Sequence, residues 1–384
     1  MDVQTLKNSV ASSPAFVLDA VEIIDTLKVL DALRRQCGCK VLYSIKALPF
    51  SAILELAKPF VDGFSVSSLF EARLADEVLA GRGSLHLTTP GIRPDEVGEL
   101  AGLCSHISFN SLNQYQRFGA AASAQASVGL RLNPKLSFLE DARFDPCRPY
   151  SKLGVDIEAL CHSACLEQIS GLHFHTVFSA LDFAPLIKTI EKLQSCLGSR
   201  FARLEWLNLG GGYLFGQMED HSRFVQLVRS LKSDFGIEVY IEPGKAVVGR
   251  AGYLIATVID TFVSDGKAIA VLDTSVNHNP EVFEYQRRPE LHEHAPDGGH
   301  TAMLVGCTCL AGDVFGDYRF NEPLTVGDRV VFKHVGAYSL IKANRFNGYN
   351  LPDVYGALQE SVTLLKHYGY RDYRSQWLSD ELVS

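Results

Sequence analysis

The stretch Val41-Leu-Tyr-Ser-Ile-Lys-Ala47 decides how the rest of the chain is read. Five of its seven residues are apolar or aromatic and two of those are β-branched, so Val41–Lys46 reads as a buried strand that Pro49 brings to a stop. A primary amine at the end of such a strand is poorly solvated. Desolvation disfavours its ammonium form, which suits a lysine that condenses with an aldehyde. An edge lysine snorkelling to water is the plainer alternative. What flanks the strand decides between the two.

Working outward, Ala15-Phe-Val-Leu18 is a short apolar strand, and Val21, Ile24, Leu27, Leu30 and Leu33 then fall at helical spacing. After the lysine strand, helical patterns near Ala52–Phe60, Leu69–Ala80, Pro94–Cys104, Leu112–Ala122, Ile157–Gln168, Phe183–Leu197 and Arg223–Phe235 alternate with strand patterns. The strands are Gly63–Ser68, Ser84–Thr89, His106–Ser111, Ser127–Asn133, Gly171–His175, Glu205–Leu209 and Glu238–Glu242. Eight strands separated by helices within about 200 residues predict a (β/α)8 barrel, the α/β part of the fold. Its chemistry belongs at the C-terminal ends of the strands, with phosphate groups after the seventh and eighth. Lys46, His175, Gly210-Gly-Gly212 and Glu242-Pro-Gly244 all fall there.

From about Ala251 the pattern becomes all-β: Tyr253–Val263, Lys267–Asp273, Thr301–Cys307 and Asp328–His334 have no comparable helices between them. The expected organisation is an N-terminal strand (1–20) joining the β-domain, a barrel (21–250), and a C-terminal β-domain (251–384). That domain should end in a helix over Pro352–His367, and His292–His300 reads as a loop.

At 384 residues the chain is long enough for two domains. A net charge of -8 argues against a nucleic-acid or anionic-membrane surface, and no apolar run has the length of a membrane span. With no secretory signal pattern and nine scattered cysteines, a reduced cytoplasmic setting is expected. Cys37-Gly-Cys39 and Cys307-Thr-Cys309 lack the paired spacing of a zinc site, so no metal is expected.

Each rim group has two readings. Glycines 210–212 either form a tight turn or let backbone N–H groups close on a phosphate. Glu242 either caps the next turn or faces a pyridine nitrogen and keeps it protonated. His175 is either a satisfied core histidine or a flat ring for a cofactor to stack on.

Together these residues resemble the fold-type III pyridoxal-phosphate enzymes, the alanine racemase-like barrels that include ornithine and diaminopimelate decarboxylases. Within that family the motifs are most similar to the carboxynorspermidine/carboxyspermidine decarboxylases. The segments carrying the likeness include Phe64–Ala72, Ser108–Ser111, Gly129–Pro134, Asp145-Pro-Cys147 with Ser151–Gly154, Leu272–Ser275, Cys309–Asp313, Gly336–Ser339 and Phe346–Gly348. The resemblance implies pyridoxal 5'-phosphate as cofactor, a small amino-acid substrate bearing an aminocarboxypropyl group, loss of its α-carboxylate in polyamine biosynthesis, and a homodimer with shared active sites. It implies that Lys46 holds the cofactor covalently and His175 stacks on its ring. Gly211, Gly212, Gly244 and Tyr338 would bind the phosphate, Glu242 would pair with the ring nitrogen, and Arg131 would brace the site. Cys309, from the second subunit, would protonate the carbanion. Lys245, His278, Glu281 and Asp313 would meet the substrate.

Three departures bear on the substrate: Lys245 stands where the family pattern has an acid, Thr176-Val-Phe-Ser179 replaces an N-L-C-E-like stretch, and His278-Asn-Pro-Glu281 replaces H-M-P-D. A lysine suits an anion better than a polyamine cation. The alternative is therefore a decarboxylase of an aminocarboxypropyl group on another scaffold, such as a microcin C-type peptide-nucleotide. Lys245 could instead serve the cofactor phosphate. A racemase needs a base on each face of Cα, which the Cys309–Asp313 motif does not favour. A non-catalytic binding homologue is a further alternative, and the joint presence of Lys46, Glu242 and Cys309 argues against it.

Overall fold

The computed structural model describes residues 3–379. Strand β1 (Ala15–Asp19) leads through the helix Ala20–Cys37 to β2 (Lys40–Ser44). Helices then alternate with β3 (Gly63–Val66), β4 (Ser84–Thr89), β5 (His106–Phe109) and β6 (Ser127–Asn133). The two-residue β7 (Val155–Asp156) hangs on the end of β6. The series ends with β8 (Gly171–His173), β9 (Trp206–Asn208) and β10 (Glu238–Ile241). Leaving β7 aside, every neighbouring pair is parallel, and β10 returns to β2 through Tyr240↔Lys40 and Ile241↔Val41. The eight strands close into the expected barrel, within a compact unit spanning Ile24–Val247.

Part of the barrel interior is filled by rings rather than by branched aliphatics. The His86 and His106 imidazoles stack at 3.9 Å, and Tyr240 lies 4.4 Å from His86. Trp206 packs with Leu42 and Tyr240 and donates its indole N–H to Ser127 Oγ at 2.9 Å. Room for that indole comes from Gly171 and Gly129, where an added Cβ would fall 2.1 and 2.5 Å from the ring.

Several strands stop earlier than their apolar patterns suggest. β2 ends at Ser44, not Lys46, because its pairing with β3 runs out at Ser44↔Ser65 and the Ser44 N–H donates to Pro243 O at 3.0 Å. Lys46 therefore sits on the 3-10 turn Ile45–Ala47. Likewise β8 ends at His173 and β10 at Ile241, leaving His175 and Glu242 just beyond them. The helix expected over Ile157–Gln168 is broken into Ile157–Cys161 and the 3-10 turn Ala164–Glu167, with Ser163 capping the second piece.

The other compact unit takes the chain before Ile24 and after Val247. It contains β11 (Gly252–Ser264), β12 (Lys267–Leu272), β13 (His300–Val305), β14 (Val314–Phe320), β15 (Arg329–Lys333), β16 (Asp353–Leu358) and β17 (Ser361–Lys366). The sheet runs β14-β13-β12-β11-β1-β16-β17, with β15 also on β11. β1 is central. Phe16 packs in a core with Leu254, Leu304 and Phe315, while Ala15 and Val17 pack in a second with Ile255, Val331 and Tyr355. Burial on both faces explains why this strand is apolar without alternation.

The helix expected over Pro352–His367 is instead the β16–β17 hairpin, and the final helix is Tyr370–Trp377. What overrides the helical pattern is pairing at long range, since β16 lies parallel to β1 through Ala15↔Asp353 to Asp19↔Ala357. β14 was not anticipated, because Gly316 and Asp317 interrupt its apolar alternation. No helix among the described residues is long and apolar enough to cross a membrane.

Candidate functional site

At the C-terminal end of the barrel strands, Lys46 opens into a cavity of about 430 Å³ that is also lined by Arg131, His173, His175 and Glu242. Lys46 is exposed through the cavity, although its amine lies deep among protein atoms. Desolvation lowers its pKa; Glu242 and Glu71 oppose that shift and Arg131 reinforces it. The amine is thus easier to deprotonate than a surface lysine.

Glu242 is 4% exposed. Its Oε1 accepts a hydrogen bond from Asn208 Nδ2 at 2.8 Å, and its Oε2 lies 3.3 Å from His173 Nε2. Burial alone would raise its pKa, but His173, Lys46 and the Ser65 hydroxyl outweigh it and hold the carboxylate ionised. Burial moves His173 the other way, below the usual histidine range and only partly opposed by Glu242. At neutral pH an ionised carboxylate therefore faces a neutral imidazole.

His175 is oriented by the glycine loop. Its Nδ1 accepts the Gly211 N–H at 3.1 Å, which assigns the ring proton to Nε2. Burial, with Lys46 and Arg131, pushes its pKa well down, so the ring is neutral. This corrects the expectation for Gly211, whose N–H is engaged by His175 rather than directed at a phosphate. The N–H groups of Gly212 and Gly244 have no hydrogen-bond partner among the described residues. At Gly244 a Cβ would press to 3.1 Å from Ser44 O, Ser44 Cβ and Ala47 Cβ, beside the turn that carries Lys46. Arg131 is buried at 8% exposure on the cavity wall. Lys245 does not line the cavity. Its Nζ donates to Ser179 Oγ at 3.0 Å and sits 4.5 Å from the Phe178 ring centroid.

The remaining expected residues belong to the other unit. Cys309 is exposed, its N–H held by Asn347 Oδ1 at 2.8 Å. Tyr338 is half-buried at φ +60, a strained conformation for a tyrosine. Glu281 begins the helix Glu281–Tyr285. Two expectations need correction. His278 is a core histidine, 1% exposed, with Nδ1 2.9 Å from Thr274 Oγ1 and a pKa pushed down to about 4 by burial. Asp313 is 3% exposed, and its oxygens accept from Val276 N (2.8 Å), Thr308 N (3.1 Å) and the Thr308 hydroxyl. Both tie loops together rather than presenting polar atoms to a substrate.

Sequence reasoning missed His173, Asn208, Ser65, Glu71 and Thr88. His173 had a signal, since it alternates with His175 in Gly171-Leu-His-Phe-His175 and so shares its face. Ser65, Thr88 and Asn208 are reached only through strand register, and Glu71 through the helix Leu69–Leu79 that follows β3. The donor set fits a flat aldehyde bearing a phosphate: an amine and a carboxylate in one cavity, an oriented ring, and unpaired N–H groups on two glycines. Thr88 Oγ1 and His173 Nδ1 are buried without hydrogen-bond partners among the described residues, which adds polar atoms for a bound group to satisfy.

Comparison with known proteins agrees with this chemistry. A family model described as pyridoxal-dependent decarboxylase, C-terminal sheet domain, matches residues 15–336. The carboxynorspermidine/carboxyspermidine decarboxylase of Herminiimonas arsenicoxydans is 32% identical, the match covering 95% of this chain and 99% of the relative. The carboxyaminopropylagmatine decarboxylase of Synechocystis sp. is 33% identical, with 95% of each covered. A crystal structure of carboxynorspermidine decarboxylase from Campylobacter jejuni, complexed with norspermidine, superposes with a TM-score of 0.84 at 28% identity, covering 95% of this chain and 100% of that one. The likeness therefore spans both units.

Proposed function

This chain belongs to the pyridoxal-dependent decarboxylase family, and we propose that it removes the α-carboxylate of an amino acid with an aminocarboxypropyl group, of the carboxynorspermidine/carboxyspermidine kind. The carrying observation is that Lys46, easily deprotonated, shares one cavity with a buried ionised Glu242 and a neutral His175. Pyridoxal phosphate, the family's cofactor, supplies when bound a sink for the electron pair released as the Cα–carboxylate bond breaks.

In this reading Lys46 would hold the cofactor through its amine. Glu242 keeps a proton on the ring nitrogen, its charge steadied by Asn208. His175 offers the face of its imidazole to the ring, fixed in tilt by Gly211. Gly212 and Gly244 donate N–H groups to the phosphate, Tyr338 adds its hydroxyl, and Arg131 braces the inner wall. Cys309 returns a proton to Cα from the second chain of a homodimer. Its exposure in the single chain is consistent with a role at a subunit boundary. A cytoplasmic setting accords with nine cysteines that are all unpaired.

The relatives' names point to carboxylated polyamines. A non-polyamine scaffold is the second reading, and its ground is that Lys245 stands where the family pattern has an acid. The test is CO2 release from carboxynorspermidine by the cofactor-loaded protein. Release that disappears in Lys46→Ala supports the function. Loss of the substrate's optical activity without gas would make the protein a racemase.

A further inference from the structure

One side of the barrel mouth carries polar groups that the roles above leave unused. Around the barrel β2 lies between β10 and β3, with β9 beyond β10 and β4 beyond β3. β9 and β10 lead into Gly212 and Gly244. On the opposite side of Lys46, β3 leads into Ser67 and β4 carries Thr88, and both residues line the cavity. The two strands pair through Ser65↔His86 and Val66↔Leu87, which sets Ser67 beside Thr88. Arg131, further round on β6, is a cation on the same wall.

Two hydroxyls on this side are unengaged. The Ser67 backbone is fixed, since its N–H donates to Glu71 Oε2 at 2.7 Å, in the first turn of the helix Leu69–Leu79. Its hydroxyl makes no hydrogen bond among the described residues. Thr88 is 8% exposed, and its Oγ1 is buried without a partner among the described residues. An orphaned hydroxyl of that kind destabilises a protein unless a bound group satisfies it. Rotation about χ1 exchanges the hydroxyl with the methyl group, so the side chain can turn Oγ1 to the cavity.

The covalent structure of pyridoxal phosphate says what belongs there. A line from its ring nitrogen to its aldehyde carbon leaves the phosphate arm on one flank and the phenolic oxygen on the other. With the nitrogen at Glu242, the aldehyde at Lys46 and the phosphate at Gly212 and Gly244, the oxygen falls on the β3–β4 flank. We propose that the hydroxyls of Ser67 and Thr88 donate to the phenolic oxygen of the cofactor, with the Arg131 guanidinium favouring its ionised form. This rests on the cofactor roles given above and supplies partners for the one polar group of the cofactor that they leave out.

The test compares pyridoxal phosphate with its analogue lacking the phenolic oxygen, which keeps the aldehyde, the ring nitrogen and the phosphate. Absorbance titration of the cofactor-free protein gives Kd for each compound, and thermal unfolding of the same protein gives Tm. In Ser67→Ala/Thr88→Val the Kd for pyridoxal phosphate should rise about tenfold, the scale of one or two lost hydrogen bonds, while that for the analogue changes less than about twofold. Thr88→Ser keeps the hydroxyl and should bind pyridoxal phosphate within about twofold of the parent. Without cofactor, Thr88→Val should melt no lower than the parent, because the hydroxyl it removes has no partner in the protein. Equal weakening toward both compounds, or an unchanged Kd for pyridoxal phosphate, overturns the proposal. So does a lower Tm of cofactor-free Thr88→Val, which would mean that the hydroxyl is bonded within the protein. If the predicted selectivity is found but the parent releases no CO2 from carboxynorspermidine, the oxygen seat stands and the decarboxylase reading falls. If CO2 is released and the double variant shows no such selectivity, the reverse holds.

Discussion

Glu242 Oε2 lies 3.3 Å from His173 Nε2, with the two side chains 3% and 2% exposed. The pair keeps a negative charge in a nearly sealed place, where it acts at full strength on whatever occupies the cavity. Glu242→Gln preserves shape and the Asn208 contact but removes the charge. Turnover of the cofactor-loaded enzyme should fall on the order of a hundredfold, the scale of losing one preorganised electrostatic contact, while cofactor remains bound. Steady-state CO2 release beside the cofactor absorbance spectrum measures both. Unchanged turnover would remove Glu242 from the chemistry.

Acid should destabilise the fold through its buried histidines. His86 and His173 are 2% and 1% exposed, and burial holds both below the ordinary value of 6.5. His278 is pushed down to about 4 in the same way. Below pH 6.5 the unfolded chain binds protons that the folded chain refuses. Stability is therefore fully present above that pH and is lost as pH falls toward the folded values, by up to about 1.4 kcal/mol per pH unit for each such group. Thermal unfolding between pH 7.5 and pH 5 should show the decline, with a shallower slope in His86→Gln. A Tm that rises on acidification would contradict this.

Gly171→Ala should destabilise the barrel without touching the chemistry. Its Cβ would fall 2.1 Å from the Trp206 ring, so the indole or β8 must shift. Overpacking of this kind costs about 1–3 kcal/mol. The denaturant midpoint should fall, and kcat in the folded fraction should hold. A variant as stable as the parent would mean that Trp206 can move.

Asp313→Ala separates a structural from a substrate role. The change leaves Val276 N and Thr308 N and its hydroxyl without their acceptor, a loss of about 1–3 kcal/mol for buried donors. A lower Tm is expected, with KM for the best substrate shifted much less than Tm. A raised KM at unchanged Tm would restore Asp313 to the substrate site.

Much of this was legible in the chain. The alternation of strand and helix patterns gave the barrel, and strand ends gave Lys46, His175, the glycines and Glu242, because barrel chemistry is tied to those ends. What pattern could not supply was set by partners distant in sequence. β16 looks helical until β1 is placed beside it, and β2 looks two residues longer until the register with β3 is known. Asp313 and His278 look like polar residues available to a substrate until their hydrogen bonds are seen. Lys245 and Thr176-Val-Phe-Ser179 stood out as separate departures. Only the fold shows that Lys245, Phe178 and Ser179 touch.

The most direct measurement is borohydride reduction of the protein loaded with pyridoxal phosphate, followed by peptide mass spectrometry. The account predicts one cofactor-sized mass increase, on the peptide carrying Lys46, absent from Lys46→Ala. A label on another lysine, or the same label in the variant, would contradict it.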